Sequence, residues 1–207
     1  NNIQINKKNK NYFIIGDSLN INRIIDNLID SKNKKKYNLF KNDFKINIKI
    51  DQTYLDQKNI INNLKGYLIY SDNEIYESKL ESSFSNNKKI RFTINTDNGV
   101  KITTLYTDIA KPFVDRYKFI KGFEEGNLDF YSTKKNNISN SILKIDNFKV
   151  QEVPILAKLL TLASLQGIAD LLTGEGIRFT DFEMNFTNQD KLIKIQELYA
   201  IGPAISI

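Results

Sequence analysis

The sequence predicts a mainly β fold: a long, curled antiparallel meander with an apolar groove, accompanied by about three short helices. Apolar and polar residues alternate with period two along most of the chain, which puts the apolar side chains of each strand on one face. Asp97, Asn98 and Gly99 are typical of a tight hairpin turn. Roughly nine or ten evenly spaced strands follow from this pattern. A sheet with so much apolar face must curl on itself, pack on a second sheet or bind a ligand.

The first half of the chain begins with a helical pattern and continues in strands. Ile21, Ile24 and Leu28 follow helical spacing behind Asn20, a residue type that caps helices, so a short amphipathic helix is predicted over 20–30. A lysine-rich loop comes next. The strands after it are marked by Ile46, Ile48 and Ile50; Tyr67 and Ile69; Tyr76, Leu80 and Phe84; Ile90, Phe92 and Ile94; and Val100, Ile102 and Thr104.

A second short helix is predicted from Asp108 to about Tyr117. Asp108 is expected to cap it, and Pro112 falls near enough to its start to be tolerated. A turn at 188–191 separates the last two strands, and Gly202 with Pro203 ends the final one. The strands of this half are marked by Leu128 and Phe130; Leu143 and Ile145; Phe182, Met184 and Phe186; and Ile193 and Ile195.

A segment that is apolar almost all round, here called the apolar segment, interrupts these strands at 154–173. It is predicted to be helical, with Gly174 and Gly176 as its stop. Lys158 and Asp170 argue against a membrane-spanning helix, which needs about 20 largely uncharged residues. Two placements stay open: a buried helical hairpin that closes a β core, or a helix at a lipid–water interface. Its large apolar side chains include Leu156, Leu159, Leu160, Leu162 and Leu165.

Composition excludes several classes of function. The 207 residues suffice for one good-sized core, and nothing in the composition requires two domains. The chain has no cysteine and no histidine, so it lacks disulfides, thiolate chemistry, the commonest general base and the commonest transition-metal ligand. The formal net charge of +6 comes with basic runs in asparagine-rich connectors. Solvated loops account for those runs, with an anionic surface as the alternative, and no nucleic-acid partner is predicted.

No motif supplies catalytic machinery. Glu124 and Glu125 are adjacent carboxylates that are expected to point apart in a turn, which does not suit a general acid–base pair. Ser164 has no histidine partner and no nucleophile-elbow setting. The glycine pair at 174–176 lacks the leading strand and the following Lys-Ser/Thr of a phosphate-binding loop. The sequence therefore predicts a protein that is not an enzyme, with no cofactor and no metal site.

A series of short motifs marks the second half of the chain. The most specific block spans 159–179 and contains LASLQGI at 162–168 and LTGEGIRF at 172–179. On these motifs the chain resembles the AsmA-like family of Gram-negative envelope proteins, in particular the AsmA-like C-terminal region. The resemblance is strong over 107–207 and weak over 1–106. Further matching stretches are YTD at 106–108, IKGF at 120–123, GNL at 126–128, IDNFKV at 145–150, VPILA at 153–157 and YAIGP at 199–203.

The resemblance implies that 1–207 is a single β-groove fragment of a longer envelope protein. Such proteins extend through the periplasm from an N-terminal helix in the inner membrane, and that anchor is absent from this sequence. Their function in outer-membrane biogenesis is lipid transport: phospholipid acyl chains are conducted along the apolar groove. The resemblance therefore implies phospholipid as a ligand, a periplasmic location and other envelope proteins as candidate partners.

Residues expected to line the groove are the apolar members of alternating strands. Each has an alternative interpretation as ordinary core, because periodicity cannot distinguish a groove from a closed interior. The competing hypothesis is accordingly a scaffold or protein-interaction domain with a closed β core. The groove candidates are Ile46, Ile48, Ile50, Leu80, Phe84, Phe92, Ile94, Phe182, Met184 and Phe186.

Overall fold

Alternating strand sequences build a single eleven-stranded sheet, in which each strand pairs with its neighbours along the chain. The structure is a computed structural model that describes residues 2–23, 43–72, 74–116, 122–151, 176–189 and 192–203. One helix, α1 (Lys111–Val114), lies between β7 and β8. The strands are β1 (Ile3–Lys8), β2 (Asn11–Asn20), β3 (Phe44–Tyr54), β4 (Ile60–Ser71), β5 (Glu74–Ser83), β6 (Lys89–Asp97), β7 (Val100–Thr107), β8 (Glu124–Lys135), β9 (Ile138–Val150), β10 (Ile177–Gln189) and β11 (Leu192–Ile201).

The predicted mainly β meander is confirmed, with one exception to its antiparallel order. All neighbouring strands run antiparallel except β2 and β3, which are parallel, with Ile14 opposite Ile48. A parallel pair needs a crossover of about a dozen residues or more, and the connection over 21–43 is long enough. Within the described residues β1 and β11 do not pair, so the sheet is not closed.

About three helices is an overstatement for the described residues, in which α1 is the one complete helix and Asn22 and Arg23 are helical at the edge of a described range. The helix predicted over 20–30 is described only as far as Arg23. At its start the Asn20 side-chain oxygen accepts a hydrogen bond from the Asn22 N–H at 3.0 Å, the contact expected of a cap. The rest of that helix and the apolar segment at 154–173 lie outside the described residues. So do the side chains named for that segment, Leu156, Leu159, Leu160, Leu162 and Leu165.

The second predicted helix is shorter than expected, and its predicted cap is wrong. Ala110 stands at the N-cap of α1 and makes no side-chain capping bond. The Asp108 carboxylate instead accepts hydrogen bonds from the Lys89 N–H at 2.7 Å and the Tyr106 hydroxyl at 2.6 Å. The hydrogen bond from the Lys89 N–H is the main cause of the lowered pKa of Asp108, and the bond from the Tyr106 hydroxyl lowers it further. Asp108 therefore ties β7 to the start of β6 rather than capping α1.

Tight turns join the strands at one end of the sheet, here called the hairpin end. The β6–β7 turn closes at the pair Asp97 and Val100, and positive φ values of 48° at Asn98 and 73° at Gly99 fit the predicted hairpin turn. The β8–β9 turn closes in the same way at Lys135 and Ile138. The opposite end, here called the helix end, carries the longer connections at 55–59, 84–88, 108–123 and 151–176.

The hydrophobic core lies at the helix end. One cluster contains a run of stacked rings: Phe123 and Phe148 are 5.3 Å apart, and Phe148 and Phe179 are 5.2 Å apart, between ring centroids. Phe113 of α1 packs against this cluster and also against a second one. The second cluster consists of Leu55, Ile61, Phe84 and Ile90.

Contacts of α1 require the sheet to bend at the helix end. The Arg116 guanidinium donates to the carbonyl of Leu55, just after β3, at 2.6 Å. On the other side, the Ala110 N–H donates to the carbonyl of Gly126, in β8, at 2.9 Å. Five strand spacings separate β3 from β8, about 24 Å in a flat sheet, whereas the segment from Ala110 to Arg116 that makes both contacts spans about 9 Å at helical rise, to which the Arg116 side chain adds its own length. The sheet therefore curves around α1.

Candidate binding face

Strand pairing brings the predicted groove residues onto one face of the sheet, here called the inner face. This is the face that packs on α1 at the helix end. Partners in a strand register share a face, and Leu80 stands opposite Phe92 in β5 and β6. Phe84, just past the end of β5, joins Ile90 of the same face in the second core cluster.

An unbroken row of apolar residues crosses the inner face from one edge of the sheet to the other. Each member is the register partner of the next, so the row runs perpendicular to the strands through all eleven of them. We call it the central row. Its members are Ile5, Ile14, Ile48, Gly66, Leu80, Phe92, Leu105, Phe130, Leu143, Met184 and Leu198.

The central row is more exposed than a core would be. None of its members is fully buried, and the two at the edges, Ile5 and Leu198, are 65% and 44% exposed. By contrast, Ile50, one step closer to the helix end, is 0% exposed. The central row is thus more exposed than the core on the same face, although Leu105, Phe130 and Leu143 of the row also pack against the first core cluster.

Four of the ten predicted residues lie in the central row and the others beside it. Ile48, Leu80, Phe92 and Met184 belong to the row, and all are partly exposed. On the helix-end side, Phe84 is part of the second core cluster, Ile50 is buried and Phe182 packs against the first cluster. On the hairpin-end side lie Ile46, Ile94 and Phe186.

Sequence reasoning missed the other members of the central row. Phe130 and Leu143 were predicted to be in strands but not on the binding face, and Ile14 was not assigned to a strand. Gly66 could not be recognised from alternation, since it has no side chain. Its φ of 142° and the 1.8 Å that would separate an added Cβ from the Lys79 carbonyl show why glycine is required there.

Towards the hairpin end the inner face becomes polar in steps. Along β8 the inner side chains are Phe130, Ser132 and Lys134, in that order. Ser132 and Ser141 share a buried hydrogen bond of 2.9 Å across β8 and β9. Ser78 lies in the same transverse row, buried, and its hydroxyl has no hydrogen-bond partner among the described residues. On β7, β8 and β9, small hydroxyls at Thr103, Ser132 and Ser141 therefore stand between the central row and the charged residues, whereas on β6 the same transverse row holds the buried Ile94.

Those charged residues form a small cluster at the hairpin end. The Lys101 ammonium lies 2.5 Å from the Glu74 carboxylate, and its side chain is only 13% exposed. The Lys134 ammonium lies 4.0 Å from the same carboxylate oxygen. Lys101 and Lys134 are register partners on β7 and β8, so both stand on the inner face. One carboxylate is thus shared between two ammonium groups.

The opposite, outer face carries exposed ion pairs. Glu125 lies 3.1 Å from Arg178 and 3.5 Å from Lys149, and its hydrogen bond with Arg178 is the main cause of its lowered pKa. Glu124 and Glu125 lie at the start of β8 rather than in the predicted turn. Exposed pairs of this kind contribute little to stability.

A similar ion pair on β9 and β10 accounts for the shifted pKa values of Glu183 and Lys144. The Glu183 carboxylate lies 2.9 Å from the Lys144 ammonium and accepts a hydrogen bond from the Tyr199 hydroxyl at 2.7 Å. The hydrogen bond between Lys144 and Glu183 is the main cause of both the lowered pKa of Glu183 and the raised pKa of Lys144. Both shifts follow from the pairing of these two side chains across β9 and β10.

The described residues contain neither a metal-binding cluster nor a membrane-spanning helix. No group of three or more acidic residues in those ranges is placed to hold a metal ion. Over the same part of the chain, no helix has the length and apolar character needed to cross a membrane. The chain matches no protein-family model, no curated protein and no solved structure.

Proposed function

We propose that this chain is a non-enzymatic module of envelope biogenesis, which binds phospholipid and conducts it along an apolar β groove between the inner and outer membranes. The central row is the observation that carries this proposal. Ten strand spacings of about 4.8 Å make the row about 48 Å long, which exceeds the length of an extended acyl chain. A lipid tail lying along the row would meet an apolar side chain on every strand except β4, where the row has Gly66.

Exposure of the row supports a binding role over a purely structural one. Contiguous apolar surface on soluble proteins is usually a site of interaction, because leaving it in water is unfavourable. Leu80, Phe92 and Leu105 are successive members from three neighbouring strands, and each is partly exposed among the described residues. Hydrocarbon laid on such a surface would remove it from water without requiring any polar partner.

The cellular setting proposed rests on the resemblance to the AsmA-like family over 107–207. On that basis we propose that the protein works in the periplasm and is anchored in the inner membrane. It needs no cofactor. Phospholipid acyl chains are its ligand, and other envelope proteins are its candidate partners.

A scaffold or protein-interaction domain with a closed β core is the second candidate. The closed packing at the helix end favours it, since Phe84 and Ile50 lie in true core positions on the inner face. Exposed apolar residues on the last strand, such as Leu192 at 71% and Ile195 at 54%, also suit an edge that contacts another protein. In this alternative the inner face holds no lipid.

Lipid carried by the purified chain distinguishes the two candidates. The protein is purified without detergent and extracted into organic solvent, and phospholipid is quantified by mass spectrometry. Binding of a fluorescent phospholipid is then measured for Phe92→Lys and for Thr93→Lys, which places the same charge on the outer face of the same strand. We expect wild type and Thr93→Lys to bind lipid and Phe92→Lys to lose most of it, because an unpaired charge is costly in hydrocarbon.

Two results would contradict the proposal. One is a folded wild-type chain that carries no phospholipid and binds no fluorescent lipid. The other is a folded Phe92→Lys protein that binds as well as Thr93→Lys. Circular dichroism of each variant establishes that the sheet is intact before binding is compared.

A further inference from the structure

The inner face changes from apolar to cationic over a short distance along two neighbouring strands. On β7 the inner side chains run from Leu105 through Thr103 to Lys101, and on β8 Phe130 and Lys134 mark the ends of the same sequence. Two residues along a strand advance about 6.7 Å, so the lysines stand about 13 Å from the central row. That order of hydrocarbon, hydroxyl and charge matches the order of groups in an amphipathic lipid.

The charge at the hairpin end is positive and incompletely neutralised. Glu74 is the one carboxylate in ion-pair contact with Lys101 and Lys134 among the described residues. Lys101 is largely buried, whereas the Lys134 side chain is 43% exposed and its ammonium stands farther from the carboxylate, at 4.0 Å. An ammonium in a partly desolvated position attracts an anion more strongly than one in bulk water.

Hydroxyl groups adjoin these ammonium groups on the side of the central row. Thr103 is the next inner-face residue after Lys101 on β7, and Ser132 is the inner-face residue before Lys134 on β8, so both hydroxyls lie between a lysine and the central row. Small hydroxyls can donate to the oxygens of a phosphate and can also accept hydrogen bonds from its neighbours. The buried Ser78 hydroxyl, which has no partner among the described residues, belongs to the same transverse row.

We infer that the hairpin end of the inner face binds the anionic phosphate headgroup of a lipid whose chain lies on the central row. Lys101 and Lys134 contact the anion, and Glu74 competes with it for both. This inference rests on the proposed function and deepens it, because it assigns a preference for lipids of net negative charge over zwitterionic ones. It also orients the ligand, with its headgroup at the hairpin end and its tail towards the middle of the sheet.

Two lysolipids with the same chain and different headgroups test the inference. Binding of lysophosphatidylglycerol, which is anionic, and lysophosphatidylcholine, which is zwitterionic, is measured below their micelle concentrations by displacement of a fluorescent fatty acid. The variants are Lys134→Gln, the double variant Lys101→Gln with Lys134→Gln, and Glu74→Gln. Lys79→Gln is the matched control, since Lys79 lies on the outer face and is 61% exposed.

We expect variants at the two ends of the ion pair to act in opposite directions. Removing the lysine charges should weaken binding of the anionic lysolipid about tenfold, the scale of a charge-assisted contact, and leave the zwitterionic one unchanged. Glu74→Gln should strengthen binding of the anionic lysolipid. A role in folding alone would not produce gains and losses that depend on the headgroup. Lys134→Gln is the milder change and keeps the test valid if the double variant does not fold.

Each outcome decides one of the two proposals. If neither lysolipid binds the wild-type chain, the proposed function fails. If both bind equally and the variants leave them equal, the proposed function stands and the headgroup inference is overturned. Inorganic phosphate that binds as tightly as the anionic lysolipid would show a site for free anions, which also overturns the headgroup assignment. If Glu74→Gln bound the anionic lysolipid more weakly than wild type, the headgroup assignment would also be overturned.

Discussion

Truncating two phenylalanines on the same sheet should separate stability from binding. Phe123 is 1% exposed and stacks on Phe148 at the helix end, where two core clusters meet α1. Phe92 lies in the middle of the central row and is partly exposed. If the inner face is a core at one end and a binding surface in its middle, Phe123→Ala and Phe92→Ala must differ sharply in their cost.

The expected costs follow from burial. Phe123→Ala removes a ring packed on all sides and should lower the free energy of unfolding by about 3–5 kcal/mol. Full burial of a phenylalanine is worth about 1.5–3 kcal/mol, and part of the Phe92 ring already faces water, so Phe92→Ala should cost about 1 kcal/mol. For a chain of this size these values correspond to losses of about 6–20 °C and 2–4 °C in Tm.

Urea unfolding and thermal melts of delipidated protein measure these costs, and lipid binding is measured on the same samples. Delipidation matters because a ligand bound to the folded state raises its apparent stability. Phe92→Ala should lose lipid affinity while remaining folded. A cost of 3 kcal/mol or more for Phe92→Ala, with lipid binding unchanged, would show that the central row is ordinary core and would refute the reasoning.

Three further predictions concern the framework of the sheet. Arg116→Lys should lower the free energy of unfolding by about 1–3 kcal/mol in urea titrations. A single ammonium cannot replace the guanidinium, which donates hydrogen bonds to both the Asn22 side-chain oxygen and the Leu55 carbonyl. The hydrogen bond from the Lys89 N–H lowers the pKa of Asp108 in the folded state. The ionised Asp108 carboxylate therefore stabilises the fold at pH values above its ordinary pKa of 3.8, and this stabilisation is lost as the pH falls through the lower folded pKa. The difference in free energy of unfolding between wild type and Asp108→Asn should accordingly become smaller on acidification. Gly66→Ala should strongly destabilise or unfold the protein in a thermal melt, because its Cβ would collide with the Lys79 carbonyl.

Alternation in the sequence predicts which face a residue occupies but not which residues stand opposite each other. Where a two-residue turn joins two strands, the turn fixes the register: Asn98 and Gly99 make Asp97 and Val100 partners, and the rest of β6 and β7 follows. Connections at 108–123 and 151–176 give no such constraint. The central row depends on every one of these registers, so it emerges only from the three-dimensional structure.

Other differences between prediction and structure have local causes. Asp108 looked like a helix cap because Asp is a favoured cap residue, yet its carboxylate is taken by the Lys89 N–H of a strand distant in sequence. The parallel pairing of β2 and β3 was not predicted, because neighbouring strands usually form hairpins and the connection at 21–43 carries no turn signal for either arrangement. Local sequence cannot report on partners that only the fold brings close.

The asymmetry of the connections gives one face of the sheet two environments. A sheet closes its apolar face only where another layer packs on it. Among the described residues that layer is the α1 region, which follows β7 and packs on the helix end of the inner face. Phe84 and Phe92 show the consequence within a single hairpin. Both are phenylalanines on the inner face, but Phe84, at the helix end, is 6% exposed and part of the core, while Phe92 remains partly exposed, where a lipid chain can reach it.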